Sequence, residues 1–223
     1  PAHVADDFAE FAPGPFVPGW NITSLQLAPV EVVDGGDRIG MSLRIMDRDP
    51  YDYARAERVF PLGSAVAVRT RVLVHRAGKS GLVVSLLDPG GNAAVAIRFC
   101  PDGELRSGYD DSQSLGSYES DRWIDVEIRL HGSGRAAVTV DGVTYEAVPE
   151  SDVTSSGVCR IAFLTGKPWD RSSVGRRQRT DIEKGEWEEF GEDLPAAEEA
   201  VAPGEYYIAR LDTASIVADE DSE

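Results

Sequence analysis

The 223-residue chain reads as an antiparallel all-β fold, a sandwich or barrel, on three observations. Ile124, Val126, Ile128 and Leu130 alternate with Asp125, Glu127 and Arg129, the period-two pattern of a strand with one buried and one wet face. Asp141-Gly142 stands as a two-residue hairpin turn between the apolar runs at 137–140 and 143–145. Comparable runs recur about every 8–12 residues, separated by Gly, Pro and Asp turns, without the helices that a parallel sheet needs between its strands.

Taken in order, Asp6, Asp7 and Phe8 precede Pro13, Pro15 and Pro18. Those prolines exclude a helix and suit an extended edge segment. Residues 20–27, from Trp20, read as a strand, and Glu31-Val32-Val33 as a short one. Asp34-Gly35-Gly36-Asp37 is a turn. Met41, Leu43 and Ile45 share one face of a strand over 39–46, and the polar stretch 47–53, with Tyr51 and Tyr53, is a loop. Residues 54–60 return as a strand that turns at Pro61-Leu62-Gly63-Ser64. The clearest long strand covers 65–74. Val66, Val68, Thr70, Val72 and Val74 lie on one face, and Ala65, Ala67, Arg69, Arg71 and Leu73 on the other. Strands follow over 81–87, 93–99 and 104–106, joined by turns at Asp88-Pro89-Gly90-Gly91 and Pro101-Asp102-Gly103. Residues 108–120, with Tyr109 and Tyr118, are polar and form a loop. Beyond the hairpin strands, 158–164 and 206–217 complete the set.

Residues 165–204 break this rhythm. Trp169 sits in a basic run with Arg171, Arg176, Arg177 and Arg179, and an acidic run follows, with Trp187, Phe190 and room for a short helix at 196–200. A stretch this long without strands is a functional or partly disordered insertion in a single domain spanning 1–223. Residues 219–223 are an acidic tail.

The formal net charge is −17 and the pI about 4.5. That balance argues against nucleic acid and against anionic membrane surfaces, and it supplies carboxylates for a hard cation such as calcium. No run of 18 or more apolar residues exists, so no transmembrane helix and no membrane insertion is expected. Cys100 and Cys159 allow one bridge or two free thiols, and their separation does not fit a zinc site. Pro1 in place of Met is what a removed leader, or a piece of a longer protein, would leave.

Asp6-Asp7-Phe8, the turn at Asp88-Pro89-Gly90-Gly91, Trp123-Ile-Asp-Val-Glu-Ile128 with Val138-Thr-Val-Asp-Gly142, and Leu211-Asp-Thr-Ala-Ser-Ile216 together resemble the concanavalin A-like, laminin-G-like jelly-roll superfamily. The resemblance covers most of the chain outside 165–204. It implies two stacked antiparallel sheets, one of them concave and glycan-facing. It also implies a structural calcium near the first and last strands, where Asp7 and Asp212 would be ligands, and no organic cofactor. Its members include lectins, glucanases, polysaccharide lyases and accessory modules of glycan-active proteins. A secreted or cell-surface bacterial location is therefore expected.

The chemistry of the residues is less specific. Glycoside hydrolysis uses two carboxylates roughly 5–10 Å apart. Asp125 and Glu127 alternate on one strand face, but the superfamily's glucanase motif, Glu-x-Asp-x-x-Glu, is absent. A lyase base would be His75, His131 or a loop tyrosine such as Tyr109. For ligand binding, Arg69, Arg71 and Arg98 sit inside strands. If they shared a face they would form a bidentate site for a carboxylate or sulfate on a glycan. Trp169 and Arg171 form a second patch for an acidic sugar or a neighbouring domain. The expectation is a non-catalytic carbohydrate-binding or accessory module of a secreted glycan-active protein, packed beside a catalytic domain or subunit. A glycoside hydrolase or polysaccharide lyase acting on an anionic glycan, and a structural or subunit-interaction domain, are the alternatives.

Overall fold

Period-two strands with one apolar face must hide that face against another sheet. The computed structural model shows this solution, and describes residues 3–24, 27–48, 53–78, 81–109, 113–147, 157–165 and 203–216. The strands are β1 (Val4–Asp7), β2 (Trp20–Thr23), β3 (Val30–Asp34), β4 (Met41–Asp47), β5 (Arg55–Gly63), β6 (Val66–Arg76), β7 (Leu82–Leu87) and β8 (Ala93–Phe99). They continue as β9 (Glu104–Ser107), β10 (Gln113–Ser117), β11 (Trp123–Leu130), β12 (Ala136–Val140), β13 (Val143–Ala147), β14 (Val158–Leu164) and β15 (Gly204–Ser215).

Sheet 1 runs β13-β12-β11-β6-β15-β4-β3, with β1 also paired to β15. Sheet 2 runs β10-β9-β8-β7-β14-β5-β2. All pairings are antiparallel, so the two-sheet sandwich agrees with the sequence reading. Asp141 and Gly142 both take positive φ, 47° and 83°, the left-handed pair that a tight hairpin turn with native twist requires.

Three expectations change. The turn at Pro61 is absent, because β5 continues to Gly63. Its pairing with β14 slips between Val158 and Arg160, and Pro61 falls in that irregular stretch, where a missing N–H is tolerated. The loop 108–120 contains β10, a short edge strand whose pattern hides because Leu115 alone is buried. The turn at 34–37 leads into a single helical turn, Gly36–Ile39.

Tyr206, Phe8, Phe99, Phe163, Leu43, Ile45 and Ile124 are fully buried between the sheets. A buried carboxylate, Asp6, helps to join the two layers. Asp6 on β1 is 9% exposed. Its Oδ2 accepts the indole N–H of Trp20 on β2 at 2.9 Å and the Arg58 Nε–H of β5 at 2.6 Å. A buried carboxylate is tolerated when donors satisfy it, and here those donors come from the opposite sheet. Cys100 is buried and Cys159 half-buried, and no disulfide joins them.

Replacing Asp6 by Ala leaves the Arg58 Nε–H and the Trp20 N–H without their acceptor. We expect a loss of about 3 kcal/mol in urea unfolding. Gly81→Ala tests the backbone differently. Gly81 has φ +73°, and a Cβ there would lie 2.0 Å from the Phe99 carbonyl oxygen, so the β7–β8 pair must shift. We expect a larger drop in the unfolding midpoint than for Gly142→Ala, where the added Cβ meets nothing within 4 Å.

Candidate functional site

Strict alternation on β6 and β11 sets two faces. Val66, Val68, Thr70, Val72 and Val74 point into the core, as do Ile124, Val126, Ile128 and Leu130. Arg69, Arg71, Trp123, Asp125, Glu127 and Arg129 therefore face outward on sheet 1. The β6–β11 register places Arg69 opposite Glu127 and Arg71 opposite Asp125. On the other flank of β6, the register places Arg210 opposite Arg71 and Asp212 opposite Arg69.

Ion pairs connect these rows. Glu127 accepts from Arg69 Nε at 3.1 Å and from Arg129. Asp125 Oδ1 lies 3.1 Å from Arg71 Nε and 3.6 Å from Arg210 Nη2. The Arg71 contact is close enough for charge pairing but is not aligned for a hydrogen bond, so this solvent-shielded Nε keeps no directed acceptor. The Arg71 guanidinium sits 5.7 Å from the centre of the Trp123 ring, within cation–π range. A depression of about 220 Å³ opens over this lattice, lined by Arg69, Arg210, Asp125, Glu127 and Thr139 among others.

Burial pushes the Glu127 carboxyl up, but hydrogen bonds from Arg129 and Arg69 outweigh it and hold the group below its usual range. Next to the lattice, Asp141 Oδ1 accepts the Asp125 amide N–H at 3.0 Å and Asp141 Oδ2 takes Arg122 at 2.5 Å. The β12–β13 hairpin is thereby tied to the edge of the depression.

Among the sequence candidates, Arg69, Arg71, Asp125 and Glu127 come together. Arg98 and Tyr109 do not join them. Both belong to sheet 2, where Arg98 lies opposite Val83 and Arg106 and Tyr109 packs against a cluster of Tyr53, Val83, Leu87, Ala96, Ala162 and Leu164. Trp169, Arg171 and Tyr51 lie outside the described residues. Two other loop aromatics are packed rather than presented. Tyr53 is 7% exposed. Half-buried Tyr118 donates to the Cys100 carbonyl at 2.7 Å and meets Phe99 edge-on, and burial pushes its phenol up to about 12.

His75 is an extra residue on β6, at the step where the β15 pairing slips between Glu205 and Tyr206. Its Nδ1 lies 2.5 Å from Asp121 Oδ1. His131 follows the far end of β11. More than the length of that strand, which alone is roughly 23 Å, separates the two imidazoles, so they cannot act on one bond.

Asp7 and Asp212 lie on paired strands, but each already has a partner. Asp7 Oδ1 accepts the Ala9 amide and caps a single 3-10 turn, Phe8–Glu10. Asp212 Oδ1 is 2.5 Å from His3 Nε2. Among the described residues no group of three or more His, Cys, Asp or Glu is arranged to hold a metal.

Arg210 is the site residue that sequence reasoning missed. Its signal was a change of phase. Tyr206 and Ile208 are buried, and so are Leu211 and Thr213, which requires one extra residue between the two pairs.

The comparisons with known proteins agree with this architecture. A solved sialidase is similar at 26% identity and TM-score 0.75, over 96% of this chain and 18% of the sialidase; this chain therefore spans less than a fifth of that protein. A Bacteroides ovatus mixed-linkage-glucan GH16 protein in complex with a product is similar at 13% identity and TM-score 0.56, over 95% of this chain and 99% of that one. An alginate lyase of polysaccharide lyase family 7 is similar at 14% identity and TM-score 0.52, over 89% and 95%. At those identities the last two describe the fold alone. Among curated protein sequences, none matches. The family model described as "Sialidase-like, CBM domain" matches residues 20–174, and with more than half of its length so matched, the chain belongs to the sialidase-like CBM domain family.

Proposed function

We propose that the chain is a non-catalytic carbohydrate-binding module of a secreted or cell-surface glycan-active protein, and that it takes an acidic sugar on the outer face of sheet 1. The observation that carries this reading is the Arg71–Arg210 pair. The two guanidinium side chains start from directly opposed positions, and like charges so placed destabilise a sheet. Asp125 is the carboxylate they share. A ligand carboxylate or sulfate would supply the bidentate partner that this geometry lacks. Asp125, Glu127 and Thr139 could meet the hydroxyls of the same sugar, and Trp123 offers an aromatic face beside them. Exposed ion pairs contribute little to stability, so a lattice of this kind is better suited to recognition than to holding the fold.

Hydrolysis on this face is disfavoured. Arg129 and Arg69 hold Glu127 ionised, so it is not the carboxyl that a glycosidase keeps protonated as its general acid, and the strand lacks the superfamily's glucanase motif. A lyase base at His75 would be four residues along β6 from Arg71, roughly 13 Å away. A second reading, an accessory domain packed beside a catalytic one, is supported by the 18% share of the sialidase that the chain matches.

The test is an array of sialylated, uronate-bearing, sulfated and neutral glycans, followed by calorimetry. Retention confined to acidic glycans is expected, with an affinity about tenfold lower for Arg71→Ala. An empty array, or an unchanged affinity in that variant, removes the reading. The ionised state of Glu127 is tested separately. Its folded-state pKa lies below the ordinary 4.5, so its pairing stabilises the fold above that pH and is lost as the pH falls through the folded value. Thermal melts of Glu127→Gln should therefore decline less steeply than those of the unaltered protein as the pH drops below about 4.5.

A further inference from the structure

β15 changes phase at Ala209. Ile208 pairs with Val72 and Arg210 with Arg71, so Ala209 is an extra residue with no counterpart on β6. A bulge of this kind turns the following side chain to the other face and takes backbone groups out of the ladder. Here it turns Arg210 outward, beside Arg71 and over Asp125. The carbonyl of Arg210 is then met from an unusual direction: the Thr70 hydroxyl donates to it at 2.8 Å.

Thr70 occupies the core face of β6, where the other four places are Val66, Val68, Val72 and Val74. It is 3% exposed. Valine has nearly the same shape and would fill that space without a hydroxyl to satisfy. The polar atom is therefore explained by the bulge it holds and not by packing. That hydrogen bond is a side-chain tie between the two strands at the bulge, and a strand that loses it is freer to let the bulge, and Arg210 with it, move.

We propose that Thr70 is a positioning residue for ligand binding. Its hydroxyl clamps the β15 bulge, holds Arg210 against Arg71, and so sets how strongly the outer face of sheet 1 takes an anion. This rests on the reading of that face as the binding face, but it can be tested on Arg210 itself with inorganic sulfate.

The experiment uses the full chain and follows arginine Nε–Hε resonances by NMR while sulfate is added, with the Arg210 signal assigned by its loss in Arg210→Lys. Sulfate is expected to shift the Arg210 signal in the unaltered protein. Thr70→Val should weaken that response about tenfold, the order of effect expected from losing one hydrogen bond. Thr70→Ser, which restores the hydroxyl, should return the affinity to within about twofold. An Arg210 signal that sulfate does not move overturns the proposal. So does a Thr70→Val protein that melts earlier yet binds sulfate as before, or a Thr70→Ser protein that loses as much as Thr70→Val. Failure of the glycan reading appears elsewhere, as an empty array with the sulfate response and its Thr70 dependence intact.

Discussion

Two bulges that cancel govern the pairing at the centre of sheet 1. His75 is the extra residue on β6 and Ala209 the extra residue on β15. Outside them the two strands share one frame; between them Tyr206, Tyr207 and Ile208 run in another. Inside that window Tyr206 is fully buried and its hydroxyl accepts the Gly78 amide N–H at 2.9 Å. Beyond it Arg210 and Asp212 face solvent. A strand in a single frame would have to bury Arg210 and Asp212 or expose Tyr206 and Ile208, because the side-chain period is two. The same pair of irregularities also brings His75 to Asp121 at one end and Arg210 to Arg71 in the middle. The features that look functional on this face are therefore consequences of one constraint on register.

Legibility followed the regularity of the pattern. β6 and β11 could be read face by face: on β11 the apolar side chains alternate with charges, and on β6 four valines and Thr70 fall on one parity. The pairing of Arg69 with Glu127 and of Arg71 with Asp125 then needed only the knowledge that these strands are neighbours. Parity along a strand says which residues share a face but not which sheet the strand joins, and that is why Arg98 and Tyr109 were grouped with Arg69 and Arg71 when they belong to sheet 2. Pro61 misled because a proline stops a regular ladder, whereas β5 uses it where the ladder is already irregular. Arg210 was hidden by the phase change at Ala209, although the succession Tyr206, Ile208, Leu211, Thr213 records that change. Thr70 was legible as a core-face residue, but its hydroxyl had no visible purpose until the bulge across from it was known.

The outer face of sheet 1 is close to electrically balanced, although the whole chain carries −17. Arg69, Arg71, Arg129 and Arg210 stand among Asp125, Glu127 and Asp212. An anion approaching from a distance meets the field of the chain as a whole, and only within about a Debye length, roughly 8–10 Å at ordinary ionic strength, does it sense the arginines alone. For the acidic sugar proposed above, recognition on this face would be short-ranged, with selectivity from geometry rather than from steering. That suits a surface whose donors and acceptors alternate, since a neutral or wrongly shaped ligand gains nothing from a general attraction.

β15 is the last strand in the chain order, yet it lies between β6 and β4 and also pairs with β1. During synthesis, β6 therefore emerges with one edge unpaired, and that edge stays open until residues near 215 have been made. Most of sheet 1 can form only as a non-local event, with loop-closure entropy spent before its central contacts exist. An open strand edge beside a run of valines is also a site where a second copy can pair wrongly. The arrangement makes insertion of β15 a late step, the one that covers the open edge of β6.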